Sequence, residues 1–403
     1  KSASLNNHNS RCCCDALSHL NGISVTKIGS RSAFAVRRHS SNRLSVRSNL
    51  YVSMTDRGQC YAVGNDAQKF ELGPRIRSVQ GTGALPRKAD HMRAVGLMVH
   101  GGPEVLEVVD LPEVHAGPGQ VRVRVYAAAV NPTDTMARNG SRAEQQKVDP
   151  PPYVPGMDIA GIVDEVGDDV STGVKVGDAV IAMVVPRASH GAYREQIVLE
   201  ARAVVPAPVG TNHVEACTLP MNGLTARLSL DLLGLSPSQT LAVTGAAGAY
   251  GGYVIQLAKT EGLTVIADAS EADEDLVTSL GADIVVRRGD DVAARIREHF
   301  PDGVDGLADG AVQNELVIPA VRDGGAFTAV RGFEGEPQRD IKFKPTWVRT
   351  YDCEFEKLNR LRQLVESNAI TLRVADTYPP EQSSETHRRL EAGGTRGRLV
   401  ITF

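Results

Sequence analysis

Three glycines that follow a short apolar run constrain the fold of this chain more than any other feature. Residues 240–252 read TLAVTGAAGAYGG, in which Gly245, Gly248 and Gly251 stand at three-residue spacing. A helical pattern of apolar residues begins directly afterwards, at Tyr253. Glycine permits a sharp turn and a close ligand, and a helix N-terminus presents unpaired N–H groups to a phosphate. We therefore expect this turn to bind the pyrophosphate of a dinucleotide.

A second apolar run supports this interpretation. Residues 263–267, LTVIA, predict a short strand that ends at Asp268, 17 residues after Gly251. A dinucleotide-binding unit has an acidic residue near this position for the hydroxyl groups of the adenosine ribose. Asp268 is therefore a candidate ribose ligand, and the alternative is an aspartate that only starts a turn.

Charge and composition exclude several classes of protein. The chain has 403 residues, a length typical of two or three domains, and no apolar run approaches the roughly 20 residues of a membrane helix. Residues 1–92 hold 14 Lys and Arg against 5 Asp and Glu, whereas residues 93–403 hold 30 against 43. This acidic second part gives no electrostatic reason to expect a nucleic-acid partner. Its two cysteines, Cys217 and Cys353, fit a reduced, cytoplasmic protein.

The first 92 residues differ in amino-acid composition from the rest of the chain. Residues 1–50 are serine-rich, basic and nearly free of acids, and they show no sustained periodicity. Cys12 to Cys14 are adjacent but have no histidine at metal-ligand spacing. We expect a disordered or non-native leader over 1–92, with the native start near Met92. The alternatives are an organelle targeting segment, which has a similar composition, and a folded domain.

Residues 93–403 show two different sequence patterns, one after the other. Alternation such as Val121, Val123 and Val125, together with Gly-Asp turns, predicts a small antiparallel barrel over 93–216. Over 217–345, short apolar runs alternate with helical patterns, which predicts an α/β domain with a parallel, doubly wound sheet. The candidate strands of this sheet are residues 240–244, 263–267, 284–286, 304–308 and 326–330.

In this order, the motifs resemble the medium-chain dehydrogenase/reductase superfamily, and its zinc-free quinone oxidoreductase branch in particular. The resemblance rests on eight segments: GGPEVLEV (101–108), AVNPTD (129–134), VPGMDIAGIVDEVG (154–167), GDAV (177–180), GAYREQIVL (191–199), LPMNGLTA (219–226), GAAGAYGG (245–252) and GGAFTAV (324–330). It implies a GroES-like β-barrel catalytic domain made of residues 93–216 and 346–403, with a Rossmann domain over 217–345 inserted between them. It also implies a nicotinamide cofactor in the cleft between the domains, and a homodimer formed through an edge strand near residues 326–330.

Zinc-dependent members of the superfamily hold a catalytic metal at positions that carry unsuitable residues here. By resemblance, Pro132 and Thr133 replace a cysteine, and Met157, Asp158 and Met221 stand at the other ligand positions. A catalytic zinc needs about three protein ligands, so we expect none. Without a Lewis acid, the hydride acceptor has to give a delocalised anion that a few hydrogen bonds stabilise. Quinones and α,β-unsaturated carbonyls meet this requirement.

The resemblance also implies roles for individual residues. Asn131 and Asp134 are the candidate catalytic residues: Asn131 is expected beside the nicotinamide, and Asp134 is expected to order the same loop, with a turn amide and a helix cap as the alternatives. The candidate cofactor-binding residues are Thr225, Gly245, Ala247, Gly248, Ala249, Tyr250, Gly251, Asp268, Ser270 and Arg331. No side-chain proton donor is assigned, because Met136 stands where many relatives have an aromatic hydroxyl. Tyr153 and His190 are alternative donors that fit packing or surface roles as well.

The choice between NADPH and NADH stays open. Ser270 fits the serine with which many relatives bind the 2′-phosphate of NADPH, but acidic residues follow at 271 and 273–275 and would repel that phosphate. The local charges therefore favour NADH, and the family resemblance favours NADPH. The cations that would reverse the local argument, if one reached the site, are Arg287, Arg288 and Arg331.

Together these features predict a zinc-independent oxidoreductase that transfers a hydride from NADPH or NADH to a quinone or an α,β-unsaturated carbonyl, without a nucleic-acid or membrane partner. Two alternatives remain. One is a trans-acting enoyl reductase of polyketide or fatty-acid synthesis, and the other is a nucleotide-binding protein without turnover. Activity on free quinones, compared with activity on enoyl thioesters, distinguishes the two kinds of reductase.

Overall fold

A computed structural model describes residues 91–141, 143 and 150–403, together with the backbone of five short strands nearer the start of the chain. These are β1 (Ile23–Lys27), β2 (Phe34–Arg38), β3 (Leu50–Met54), β4 (Cys60–Val63) and β5 (Lys69–Glu71), which pair in chain order as an antiparallel sheet. These strands are not among the predicted elements. Cys12 to Cys14 lie outside the described residues, and the interpretation of residues 1–92 as a leader stays a prediction.

A seven-stranded sheet forms the barrel of the second compact unit, residues 86–403. Its strands are β8 (Gln120–Ala129), β9 (Asp158–Val166), β10 (Ala179–Met183), β11 (Gln196–Glu200), β12 (Val204–Pro206), β19 (Val374–Tyr378) and β20 (Arg398–Thr402). The strand order is β12-β10-β9-β8-β20-β19, with β11 also paired to β8. A separate pair consists of β6 (His91–Gly96) and β7 (Glu107–Pro112). Because β20 pairs with β8, the barrel takes strands from both sides of the parallel sheet in the sequence.

The period-2 alternation predicted for β8 matches its burial. Val121, Val123 and Val125 are buried in the barrel core, whereas Arg122 and Arg124 alternate with them on the more accessible face. Arg122 forms ion pairs with Glu113, Asp164 and Glu165 there. The strand therefore has one apolar face toward the core and one charged face away from it.

The six strands of the second sheet are all parallel. They are β13 (Thr240–Thr244), β14 (Thr264–Ala269), β15 (Ile284–Arg287), β16 (Val304–Asp309), β17 (Val321–Ala329) and β18 (Lys342–Phe343), in the order β15-β14-β13-β16-β17-β18. All five predicted strands are present, and the predicted fold class is confirmed. The expectation that residues 326–330 lie on an edge strand is wrong, because the two-residue strand β18 pairs with β17 and takes the edge.

Eight helices complete the described residues. They are α1 (Pro132–Arg138), α2 (His213–Ala216), α3 (Pro220–Leu233), α4 (Ala249–Thr260), α5 (Glu274–Ser279), α6 (Val292–His299), α7 (Phe355–Glu366) and α8 (Ser383–Ala392). Helix α3 is almost wholly buried and ends at Gly234, whose φ of 61° suits a residue without a β-carbon. Among the helices described, none is both long and apolar enough to cross a membrane.

One hydrophobic core connects the barrel with the parallel sheet. It contains Ala127 and Ile181 of the barrel, Leu224 of α3, and Leu241 and Val254 of the domain with the parallel sheet. Helix α3 therefore lies between the two sheets and fixes one against the other. The loops at the ends of β8, β13, β16 and β17 meet beside this helix, and they build the site.

Candidate active site

The glycine turn has the close packing that its sequence predicts. Gly245 has a φ of 64°, and a β-carbon there would lie 2.9 Å from the carbonyl carbon of Gly310. A β-carbon on Gly251 would lie 2.4 Å from the carbonyl oxygen of Gly245, closer than real β-carbons approach. Both positions therefore require glycine. Gly248 is the N-cap residue of α4, and the first turn of this helix contains no acidic residue. The turn fits an anionic group such as a dinucleotide phosphate.

A cavity of about 200 Å³ adjoins the turn, and we call it the phosphate cavity because the turn beside it fits an anionic group. Its lining is Gly245, Ala246, Ala247, Gly248, Asp268, Ala269, Ser270, Asp273, Arg288, Gly310 and Arg396. Asp268 Oδ1 accepts a hydrogen bond of 3.0 Å from Ala246 N, and burial raises the pKa of this carboxyl. The carboxylate thus stabilises the turn, and its role as a ribose ligand stays a prediction.

The acidic character expected beside Ser270 is neutralised by an arginine. Ser270 Oγ donates a hydrogen bond to Asp273, and Arg396 forms an ion pair with the same carboxylate, with Nη2 2.7 Å from Oδ2. The Arg396 guanidinium holds the pKa of Asp273 below its ordinary value. Arg288 lines the same cavity, whereas Arg287 points elsewhere and lies 3.6 Å from Glu271. Two guanidinium groups therefore face this cavity.

Arg373 attaches the turn to the barrel. It precedes β19, and its guanidinium donates to the carbonyl oxygens of Ala247, at 3.0 Å, and of Gly248, at 2.6 Å. Arg373 is half-buried, and burial lowers the pKa of its guanidinium. The barrel thus contacts the turn at the residues that line the phosphate cavity.

A larger cleft of about 540 Å³ lies next to this cavity. Gly310 lines both, so the two spaces meet at the loop that follows β16. Asp309 holds this loop, since it accepts hydrogen bonds from Thr244 Oγ1 at 2.5 Å and from Asn314 N at 2.7 Å. The cleft is lined by α1, by α3, by the loop after β10 and by residues 346–349. A ligand that extends from the turn past Gly310 would reach it.

Buried polar groups form a network behind the cleft wall. Asn131 Nδ2 donates to Asp158 Oδ2 at 2.7 Å, and Asn222 Nδ2 donates to Asn131 Oδ1 at 2.9 Å. Met221 N donates to the second oxygen of Asp158 at 2.6 Å. Burial raises the pKa of Asp158 to about 7, although these hydrogen bonds and Arg398 favour its ionised form. Asn131 is completely buried and is not among the described residues that line the cleft, so it acts through its neighbours.

Arg398 is the cation of this network. Its guanidinium donates from Nη2 to Asn222 Oδ1, and it lines the cleft although only 7% of the residue is exposed. Its buried Nε has no hydrogen-bond partner within the described part of the chain. Burial lowers the pKa of Arg398, while Asp158 and Asp134 oppose that shift. A buried guanidinium with an unused donor can stabilise negative charge that develops in the cleft.

Asp134 holds the start of α1 through a second polar chain. Its Oδ2 accepts from Asn131 N at 2.8 Å and from Tyr193 Oη at 2.9 Å, and its Oδ1 accepts from Gly156 N at 3.2 Å. Burial raises the pKa of Asp134 to about 6, against these three donors. Asp134 is therefore a cap at the start of α1, and it also lines the cleft.

The series of polar contacts that starts at Asp134 continues from Tyr193 to a buried histidine. His387 Nε2 lies 3.5 Å from Tyr193 Oη, and Arg138 Nη1 lies 3.5 Å from His387 Nδ1. Because Arg138 only donates, His387 Nδ1 accepts, and the proton of the neutral ring is on Nε2. Burial, with Arg138 nearby, lowers the pKa of His387 to about 3. His387 therefore donates toward Tyr193, and Tyr193 donates to Asp134. These donors favour the ionised form of Asp134.

The residues present do not fit a catalytic zinc. Met157 Sδ accepts a hydrogen bond from Thr133 Oγ1 at 3.2 Å, and Met221 Sδ accepts one from Thr225 Oγ1 at 3.4 Å. Both oxygens of Asp158 accept hydrogen bonds from the protein. Throughout the described ranges, no three His, Cys, Asp or Glu side chains group as metal ligands. Zinc prefers thiolate, imidazole and carboxylate ligands, which this wall does not offer together.

The predicted cofactor residues divide between the two spaces. Gly245, Ala247, Gly248, Asp268 and Ser270 line the phosphate cavity, and Thr225, Tyr250 and Arg331 line the cleft. Ala249 begins α4 and Gly251 packs beneath the turn, so neither is among the lining residues described. Neither Tyr153 nor His190 lines the described cleft, and His190 Nε2 lies 2.9 Å from the carbonyl oxygen of Val198.

Several site residues carry no sequence signal of their own. The additional residues of the site are Asn222, Arg396, Arg398, Arg373 and Trp347. Asn222 stands within the segment LPMNGLTA, and Arg396 and Arg398 flank Gly397 at the start of the last strand. An arginine beside a strand start is ordinary, so only the sheet order, which brings β20 next to β8 and β19, reveals them.

Comparison with known proteins agrees with this architecture. Residues 117–209 match the family described as Alcohol dehydrogenase GroES-like domain, and residues 280–401 match the family described as Zinc-binding dehydrogenase. A 2-methylene-furan-3-one reductase of Solanum lycopersicum is 30% identical over 323 residues, which cover 77% of this chain and 79% of the relative. An NADPH-dependent alkenal/one oxidoreductase, chloroplastic, of Arabidopsis thaliana is 29% identical over 336 residues, which cover 80% and 82%.

A solved structure extends the comparison to the whole fold. The quinone oxidoreductase from Coxiella burnetii superposes with a TM-score of 0.70 at 26% identity, over 78% of this chain and 99% of that protein. The two proteins thus share this fold over most of their length. The chain belongs to the medium-chain dehydrogenase/reductase superfamily of oxidoreductases.

Proposed function

We propose that this protein transfers a hydride from a reduced nicotinamide dinucleotide to a quinone or an α,β-unsaturated carbonyl, without a metal. The observation that carries the proposal is the junction at Gly310 of a phosphate cavity with a cleft that contains a buried guanidinium. A dinucleotide with its phosphates at the turn would extend its other end into this cleft. The names of the relatives, which include reductases of alkenals and quinones, agree with this reaction.

The cleft residues have defined tasks in this reaction. NAD(P)H supplies the hydride when bound, and the β-carbon of an enone or the ring of a quinone accepts it. The electron pair moves to the carbonyl oxygen, where the guanidinium of Arg398, which lines the cleft, stabilises the negative charge. Water returns the proton. Asn131 and Asp134, proposed from the sequence as catalytic, act here as positioning residues, because their polar atoms hold Asn222 and α1.

For the cofactor, we favour NADPH. Arg288 and Arg396 both line the cavity at the turn, and Ser270 lines it too. Asp273 lies between Ser270 and Arg396, so its charge is compensated rather than free to repel a phosphate. This reverses the local argument for NADH. A 2′-phosphate beside two guanidinium groups would gain charge-assisted hydrogen bonds.

The remaining expectations concern the setting of the protein. Within the described residues, Cys217 and Cys353 are free thiols, which suits a reducing compartment such as the cytoplasm. We also expect a homodimer, with β18 rather than β17 at the edge of the parallel sheet. Sedimentation analysis of the purified protein tests the second expectation, and a monomer at micromolar concentration would contradict it.

The test of the main proposal is a turnover assay. The full chain is incubated with NADPH or NADH and with 1,4-benzoquinone, 3-buten-2-one, or the N-acetylcysteamine thioester of crotonate, and the loss of reduced nicotinamide is followed. Oxidation with the first two acceptors supports the proposal, whereas oxidation only with the thioester supports an enoyl reductase. Cofactor binding without oxidation of any acceptor would instead identify a nucleotide-binding protein without turnover.

A further inference from the structure

The inference concerns the substrate of the reaction and rests on the proposed function. It starts from the arginines that this fold leaves unpaired. Among the described residues, the guanidinium groups of five arginines form no hydrogen bond or ion pair with another described residue: Arg187, Arg202, Arg288, Arg331 and Arg349. Arg288 lines the phosphate cavity, and three of the others line the cleft.

Unpaired cations gathered at one cleft are unusual in this molecule. Elsewhere, arginines that are equally close to the surface are paired, as Arg93 is with Glu195 and Arg389 is with Asp376. The whole chain is acidic, with a formal net charge of −4, so partners of opposite sign are not scarce. Positive charge in a concave site attracts anions and raises their local concentration.

The three arginines of the cleft come from separate segments. Arg187 lies in the loop after β10, Arg331 follows β17, and Arg349 lies in a short 3-10 helix, Val348–Tyr351. All three are exposed, so their charges lie on the solvent-facing part of the wall. Asp352 is the acidic residue on this part of the wall, and its carboxylate lies 3.6 Å from Cys353 Sγ. The three arginines therefore outnumber the one aspartate on this part of the wall.

Apolar side chains form another part of the cleft lining, beside the buried polar groups of Asp134, Asn222 and Arg398. These apolar side chains include Met136, Met157, Val185, Val312 and Trp347, of which Trp347 is 42% exposed. A large exposed tryptophan beside a cavity is suited to an apolar ligand body. The cleft therefore combines apolar surface and a few buried polar groups with a cationic outer wall.

The phosphates of the cofactor do not account for this charge. The glycine turn, Arg288 and Arg396 form the phosphate cavity, and Gly310 is the residue that this cavity shares with the cleft. Arg331, which the sequence assigns to the cofactor, is the nearest of the three in sequence to the parallel sheet. Arg187 and Arg349 are left without a task in hydride transfer.

We propose that the natural substrate is an enone or quinone with an apolar body and a negatively charged group at the end away from the reacting carbons, and that Arg187 and Arg349 bind this group. The shared chemistry is an anion, either a carboxylate of the substrate itself or a phosphate of a thioester carrier. The reaction stays as described: the β-carbon gains the hydride, the carbonyl oxygen takes the electron pair, and water supplies the proton at the α-carbon. The anionic group is bound and is not altered.

The test compares two pairs of substrates, and the members of each pair share the reacting group but differ in charge. 7-Oxo-5-octenoate and its methyl ester carry the same enone, because three methylene groups separate it from the carboxylate. Crotonyl coenzyme A and the N-acetylcysteamine thioester of crotonate form the second pair, in which only the first has phosphates. The measured quantity is the ratio of kcat/KM for the charged and uncharged member of each pair, with NADPH, at low and at high salt.

The wild-type protein is expected to prefer the charged member of one pair by about 10-fold or more, and the preference should shrink at high salt because the ion pairs are exposed. Arg187→Ala and Arg349→Ala should each reduce the ratio several-fold. Arg202→Ala is the matched control, since Arg202 is equally unpaired but lines neither space, and its ratio should equal that of the wild type. A preference in the first pair identifies a substrate carboxylate, and one confined to the second identifies a carrier phosphate.

Three results would count against the inference or the function on which it rests, and they are distinguishable. Equal turnover of both members in both pairs would contradict the proposal of an anionic substrate, but it would still support hydride transfer to enones. No cofactor oxidation with any of the four compounds, or with 1,4-benzoquinone, would contradict the proposed function itself. A ratio that falls as much in Arg202→Ala as in Arg349→Ala would mean that overall charge, and not this wall, causes the preference.

Discussion

Asn131 and Asp158, 27 residues apart in the chain, are joined by a hydrogen bond of 2.7 Å from the side-chain amide to the carboxylate. Asp158 stands where the resemblance places a metal ligand, yet here it is an acceptor for protein donors. The bond connects the start of α1 with β9, and Met221 N connects the same carboxylate with α3. The acid thus positions three elements around the cleft.

Removing the amide should disturb both stability and turnover. Asn131→Ala leaves Asp158 Oδ2 without its donor and Asn222 Nδ2 without its acceptor. An unsatisfied buried polar group costs about 1–3 kcal/mol, so we expect the free energy of unfolding to fall by that amount. Turnover should fall about 10-fold, mainly in kcat, because Asn222 and Arg398 lose their fixed positions. Urea unfolding and steady-state kinetics measure both.

Asn139→Ala is the control for that variant, since Asn139 is exposed at the other end of α1. It should change the free energy of unfolding by less than about 0.5 kcal/mol. Equal losses in the two variants would mean that the buried amide has no special role.

The buried acids should make stability depend on pH. Burial raises the pKa of Asp158 to about 7 and that of Asp134 to about 6. The folded protein therefore keeps protons that the unfolded chain has already released, and stability decreases as the pH rises from about 4 to about 7. In Asp158→Asn this decrease should be smaller. Urea unfolding at pH 5, 6, 7 and 8 gives the slopes.

Asp168→Asn, at an exposed position, serves as the comparison, and its slope should match that of the wild type. The interpretation would be wrong if Asp158→Asn and the wild type lost stability in parallel over this range.

Arg396 should decide between the two nicotinamides. Arg396→Ala removes one of two guanidinium groups from the phosphate cavity and leaves Asp273 uncompensated beside Ser270. A lost charge-assisted hydrogen bond corresponds to about 1.5–3 kcal/mol, so the Kd for NADPH should rise 10-fold or more. The Kd for NADH should change little. Fluorescence titration of each cofactor measures the difference.

Arg388→Ala, an exposed change on α8, is the matched control and should leave both Kd values in place. If Arg396→Ala weakened NADH and NADPH equally, the guanidinium would support the fold of the cavity and not the 2′-phosphate.

The glycine turn should not tolerate a methyl group at its packed position. Gly251→Ala puts a β-carbon 2.4 Å from Gly245 O, so the turn has to shift away from its phosphate-binding form. We expect cofactor binding to weaken about 10-fold or more, with the circular dichroism spectrum of a folded protein. Gly117→Ala meets only the flexible end of Gln120, at 3.2 Å, and should bind the cofactor normally. Normal binding by Gly251→Ala would disprove the packing argument.

Most of the fold could be predicted because its signals are local. Apolar runs bounded by glycines marked all five predicted strands of the parallel sheet, and strict alternation marked β8. The edge strand β18 could not be predicted, since two residues are too few to show the alternation of a strand. The short strands before residue 91 were also missed, because their serine-rich surroundings suggest disorder.

The candidate site was predictable only where a backbone conformation demands a residue type. Gly245 and Gly251 could be recognised, because a positive φ or a close approach excludes a β-carbon. Arg398 could not, since its task depends on β20 lying beside β8. Asn131 was recognised by resemblance, but its side chain lies behind the wall, where only the position of Asp158 explains it.

Arg373 has a consequence for how a ligand gains access. Its guanidinium ties two carbonyl groups of the glycine turn to the start of β19, and Arg396 at the start of β20 adds an ion pair to Asp273. A movement that separated the barrel from the parallel sheet would break all of these bonds at once. A ligand is therefore expected to enter and leave without a separation of the barrel from the parallel sheet.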